Sequence, residues 1–120
     1  MTTRSLGRLK QEIIKAYNAI NQEMYVVGVR QQRVEIFQDK ILIVAEHKRI
    51  PVLAVLDGVA PDIACLADIA LVRENKRKLA ASLEAIVGVK VVTVLKDYDP
   101  ATTLAATLIV FDATVSPSPT

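Results

Sequence analysis

Few side chains in this sequence could do chemistry, and each stands apart from the partners it would need. His47, the only histidine, lies in Glu46-His47-Lys48-Arg49. A catalytic or ligating imidazole requires a carboxylate, thiol or second imidazole converging on the same point, and no motif spacing supplies one. An exposed histidine at a strand end is the expectation. Cys65, the only cysteine, falls between Ala64 and Leu66, one turn into a helix. Helix N-termini lower thiol pKa values, but no fixed cation is near in sequence, so Cys65 reads as a small buried hydrophobe. Asp97 and Asp99 flank Tyr98 ahead of Pro100. Such a carboxylate pair could bind a cation or move a proton, yet Asp before Pro is ordinary turn chemistry, and a turn is expected. Gly7, Gly28, Gly58 and Gly88 are scattered singly, so no phosphate-cradling loop is present. G-x-S-x-G, H-E-x-x-H and calcium-loop patterns are absent as well. No catalytic, cofactor-binding or metal-binding residue is assigned, and a non-enzymatic protein is expected.

The basic residues offer a second line. Arg73, Lys76, Arg77 and Lys78 cluster in one helical stretch, and Lys48-Arg49 follows a strand. Such a patch can hold a nucleic-acid backbone. Against that, aromatic residues are only 4 % of the chain, which leaves few stacking platforms, and Glu74 dilutes the cluster. Fifteen Lys and Arg against 13 Asp and Glu leave a formal charge of +2, too small for general attraction to polyanions. A solvated, salt-bridged helix face is expected, with nucleic-acid binding kept as the alternative. A small-molecule regulator with its pocket between sheet and helices is the other alternative. A single cysteine excludes an internal disulfide and a single histidine excludes a Cys/His zinc site.

The elements that would position these residues follow from periodicity. Leu6, Leu9, Ile13, Tyr17, Ile20 and Met24 recur at steps of three and four, predicting a helix from about Ser5 to Gln22. Tyr25–Val29 and Gln32–Phe37 are strand-like, with Gly28 as a bend or bulge. Gln38-Asp39-Lys40 is a hairpin loop into a return strand, Lys40–Glu46. Pro51 starts a short helical turn within Ile50–Gly58. Pro61 and Asp62 suit the start of a long helix that Gly88 ends, although Arg73–Lys78 is polar all round. Val89–Lys96 and Leu104–Phe111 form a second hairpin. The 120 residues suit one domain over 5–112, with 113–120 as a disordered Ser/Pro tail. The fold class is α+β, in two layers and in the order helix–hairpin–helix–hairpin: a four-stranded antiparallel sheet with helices on one face.

A sheet covered on one side only should alternate apolar and polar residues. Here Val92 and Val94 oppose Val91 and Leu95, while Ile109 and Phe111 oppose Leu108 and Val110, so neither face is polar. The uncovered face, assigned to Val92, Val94, Ile109 and Phe111 or their alternates, becomes the candidate interface. Burying even about 600 Å² of it represents about 15 kcal/mol of gross driving force, much of it offset by docking costs. A homo-oligomer, with a dimer favoured, is expected. The longest purely apolar stretch is Val52–Leu56, and Arg and Lys interrupt the first 15 residues. Membrane insertion and a signal segment are therefore not expected, and a cytoplasmic location is.

The stretch Val72–Phe111 carries an Arg-bearing helix, a Gly-x-x-Val entry into a strand, an Asp-containing turn and a closing strand ending in an apolar pair. With the amphipathic first helix and the polar-tipped hairpin at Gln38-Asp39-Lys40, it resembles the MpsC-like family, the C component of a sodium-translocating, membrane-potential-generating system. The resemblance implies a small cytosolic accessory protein beside a membrane ion or bicarbonate transport partner. It implies no catalytic residues.

Overall fold

The computed structural model describes residues 5–26 and 29–115. Helix α1 spans Leu6–Tyr25, and the Ser5 hydroxyl caps it by accepting from the Arg8 amide at 3.1 Å. It runs one turn past the expected end and takes in Tyr25, the residue predicted to start a strand. Val26 stops it in the left-handed region, at φ 61°. The expected bend at Gly28 lies outside the described residues, as do the first four residues and 116–120.

Strands β1 (Val29–Phe37) and β2 (Lys40–His47) form the first hairpin across Gln38-Asp39. Helix α2 (Pro51–Val59) is longer than the predicted turn, and a single residue, Ala60, separates it from α3 (Pro61–Val87). Gly88 ends α3 at φ 77°, a conformation that costs glycine little. Strands β3 (Val91–Asp99) and β4 (Leu104–Phe111) complete the chain. The fold is α+β, with a fully antiparallel four-stranded sheet in the order β1-β2-β4-β3. The two return strands are thus the central pair, with Ile41 opposite Ile109 and Leu42 opposite Leu108.

Helices α1 and α3 pack on one face of the sheet. Leu9, Ile13 and Tyr17 of α1 and Leu79 and Leu83 of α3 close over Ile41, Ile43, Ile109 and Phe111, all buried. This overturns part of the interface assignment. Val94, Ile109 and Phe111 point into the core, and of the four candidates only Val92 faces water. A bulge between Val91 and Thr93 is the reason on β3, because an extra residue reverses strand parity. The alternates Leu104, Ala106, Leu108 and Val110 form the outer side of β4.

Only the C-terminal half of α3 lies over the sheet. Its N-terminal half projects with α2, which packs mainly on α3, and the molecule measures 55 × 24 × 21 Å. Ile63, Leu66 and Cys65 are therefore exposed, which corrects the expectation of a buried thiol. Val115, expected in a disordered tail, is buried, and its amide donates to the Gln38 carbonyl at 2.8 Å. Among the described residues no helix is long and apolar enough to cross a membrane.

Candidate functional site

Strand parity continues the inward row Ile41, Ile43, Ala45 to His47, which is buried rather than exposed. Its Nε2 pairs with the Tyr17 hydroxyl at 2.5 Å, and its amide donates to the Thr103 carbonyl at 2.8 Å. Tyr17, Tyr25 and Tyr98 surround the imidazole edge-on, with ring centroids 5.6, 6.5 and 6.1 Å away. The Tyr98 hydroxyl donates to the His47 carbonyl. Burial, reinforced by the Lys96 charge, pushes the imidazole down to about 4, so it is neutral at pH 7 and accepts the Tyr17 proton. Burial likewise raises the Tyr17 phenol far above its ordinary range and Tyr25 to about 12. Neither phenol ionises near neutrality.

Lys96, on the inward side of β3, reaches this cluster. Its Nζ donates to Asn75 Oδ1 at 2.7 Å and to the Tyr17 hydroxyl at 3.5 Å, and lies 5.1 Å from the Tyr17 ring centroid. All of these partners are neutral. Burial without a compensating carboxylate lowers the ammonium to about 8. Asn75, fully buried in the polar middle of α3, exists there to hold this amine: its amide oxygen accepts from Lys96 and its nitrogen lies against the Met24 sulfur.

Arg49, two residues past His47, fastens the helical projection. Nε and Nη2 donate to Asp57 of α2 at 2.9 and 2.7 Å, while Nη1 and Nη2 donate to Asp68 of α3 at 2.7 and 2.9 Å. Two carboxylates hold the guanidinium above its usual range, and it holds Asp57 below the usual carboxylate range. Its carbon lies 5.8 Å from the Tyr98 ring centroid. Together these residues wall a cleft between the sheet end and the helical pair, lined also by Lys48, Leu53 and Leu71. About 40 Å³ of it can hold water centres. At roughly 10–15 Å³ per water, that is room for about three waters or one very small ligand.

Two apolar surfaces remain in water. Val52, Val55 and Val59 share one face of α2, and Ile63 and Leu66 share one face of α3 with Ile69 beside them. These six are 45 % to 75 % exposed, on two helices joined by the single residue Ala60. The outer side of the sheet is the second surface. Leu42 of β2 stands opposite Leu108 of β4 and Val44 opposite Ala106, flanked by Leu95 and Leu104, both half exposed.

The basic residues do not form a free patch. Arg77 is paired with Glu74 on its own helix at 2.7 Å, and Lys78 with Glu23 of α1 at 2.9 Å. Arg73 is exposed, and Lys76 borders an open groove beside Leu95 and Asp97. Asp97 and Asp99 act locally. Asp97 accepts from the Tyr98 amide, and Asp99 accepts from the Ala101 amide and the Thr102 hydroxyl. Among the described residues, no three His, Cys, Asp or Glu side chains converge as metal ligands would.

Sequence reasoning missed the Tyr17–His47–Lys96–Asn75 cluster, although one signal was present. Extending the inward rows by one more alternate position places His47 after Ala45, and Lys96 after Val94. The Arg49–Asp57–Asp68 staple left no such trace, because its separations of 8 and 19 residues match no repeat. In comparisons with protein families, curated proteins and solved structures, the chain matches none.

Proposed function

We propose that this chain is a non-enzymatic assembly protein that acts as a homo-oligomer, joined to a second copy through the α2–α3 projection. The supporting observation is the stripe Val52, Val55, Val59, Ile63, Leu66 and Ile69. Each leaves on the order of 100 Å² in water, roughly 600 Å² in all. That is near the limit of what a soluble monomer exposes and close to the roughly 800 Å² per partner of a standard interface. A second copy suits it best, because two helical pairs facing each other across a two-fold axis make a four-helix bundle with an apolar centre. Arg49 holds the pair in the presenting geometry from behind, with its charge spent on Asp57 and Asp68. The outer sheet face adds a second apolar surface, which favours assemblies larger than a dimer. The resemblance of Val72–Phe111 to MpsC-like proteins favours an accessory role in the cytoplasm beside a membrane ion-transport system.

The test is sedimentation and light scattering of the full chain at micromolar concentration, beside the Val55→Asp/Leu66→Asp variant and a Leu95→Glu/Leu108→Glu variant. A dimer or larger species that the first variant dissociates, with its circular dichroism retained, is expected. A monomeric wild type overturns the proposal. Dissociation by the sheet variant alone overturns the assignment to α2–α3.

A further inference from the structure

We propose that the cleft beside His47 is a binding site for one small monovalent anion, of formate or chloride size, held against the Lys96 ammonium. This goes beyond the assembly role and uses a different part of the molecule. Three cationic residues line the cleft, Lys48, Arg49 and Lys96, against one carboxylate, Asp68. Arg49 already grips Asp68 through two hydrogen bonds, so that negative charge is committed elsewhere. Lys48 and Lys96 remain; Lys48 is exposed to water at the rim, so Lys96 is the inner cation. Among the described residues no carboxylate pairs with it, and its hydrogen-bond partners are the neutral Asn75 amide and Tyr17 hydroxyl.

A partly buried ammonium held only by neutral oxygens is left with a charge that an anion in the adjoining space would balance. Two of its three protons go to Asn75 and Tyr17, which leaves one for a ligand. The neighbouring imidazole cannot act as the counter-charge, because a histidine is either neutral or cationic. Tyr25 and Tyr98 add phenol groups to the cleft wall, and Leu53, Leu71 and Val72 keep part of it dry. Space sets the ligand class. Room for about three waters suits a halide or a one-carbon carboxylate and is too small to enclose a nucleotide or a sugar phosphate. A divalent oxyanion would bring more charge than Lys96, the inner cation, balances.

The experiment follows the Lys96 side-chain resonances by NMR through a pH titration of the intact protein. Sodium formate, sodium chloride and sodium gluconate are compared at equal ionic strength, gluconate being too large to enter. In formate or chloride the Lys96 midpoint is expected to move upward, with proton affinity rising about tenfold or more, while in gluconate it stays low. Thermal stability is expected to rise saturably with formate or chloride, and the Lys96→Met variant to lose that response. Equal midpoints in all three salts overturn the proposal, as does a formate response of Lys96→Met matching wild type. The wild-type titration needs no variant, so the proposal remains testable if Lys96→Met does not fold. Neither outcome depends on whether charges on the α2–α3 stripe dissociate the assembly.

Discussion

Acidification from pH 6.5 to pH 4 should cost this protein about 3 kcal/mol through His47 alone. In the unfolded chain the imidazole titrates near 6.5, whereas in the fold it is held to about 4. Between those values the unfolded state binds a proton that the native state refuses, so stability falls as pH falls. At about 1.4 kcal/mol per tenfold change in proton affinity, the interval amounts to about 3 kcal/mol. The cause is burial first, which disfavours the charged ring, and then the Lys96 charge beside it. Across the cleft, Arg49 and Asp68 are committed to each other. The assay is urea unfolding at fixed protein concentration between pH 7 and 4, for wild type and for Tyr17→Phe/His47→Phe. The double variant removes both polar partners together and leaves neither unsatisfied. Carboxylates that lose their pairings in acid, such as Asp57 with Arg49 and Glu74 with Arg77, are common to both proteins and cancel in the difference. Equal losses of stability in the two proteins would refute the reasoning.

At the alkaline end, stability should rise from about pH 8 toward 10.5 by up to about 3 kcal/mol, because the fold releases the Lys96 proton before the unfolded chain does. The raised Tyr17 and Tyr25 phenols oppose this above about pH 10, where unfolded tyrosines ionise first. Lys96→Met should therefore flatten the alkaline rise in a denaturation series, and an unchanged profile would count against Lys96 as its source. Arg49→Lys keeps the charge but loses the fork that grips two carboxylates; a loss of about 1.5–3 kcal/mol and faster proteolysis near α2 are expected. Val26→Gly should raise stability by about 1 kcal/mol in thermal unfolding, since a β-branched residue at φ 61° is strained and its side chain is exposed. A loss of stability in that variant would show that the Val26 side chain makes a compensating contact.

The order of elements was legible because it rests on local periodicity. The Leu9–Ile13–Tyr17–Ile20 row, the Pro61–Gly88 limits and the Leu104–Phe111 strand need only neighbouring residues to be read, and the structure has all three. The misassigned strand face has a different origin. With apolar residues on both sides of β3 and β4, hydrophobicity cannot say which side the helices cover, and the Val91–Thr93 bulge is set by pairing with β4. Cys65 reads as buried because its neighbours Ala64 and Leu66 are apolar, yet it is exposed. Periodicity reports a stripe, not what covers it. Tyr17, His47, Asn75 and Lys96 lie on four elements, so only tertiary folding brings them together, and the sequence shows them as four unrelated polar residues.

The seam between β2 and β4 carries a consequence for how the chain reaches its folded state. Each hairpin closes through a short local turn, but pairing residue 42 with residue 108 must wait for everything between them, both α2 and α3 included. Closing so long an intervening stretch delays that step relative to either hairpin, and until it is complete β2 and β4 both present open backbone edges. In a crowded mixture the nearest matching edge can belong to another copy. Exchange of whole halves between chains, with the same ladder formed intermolecularly, is therefore the characteristic misassembly this topology invites.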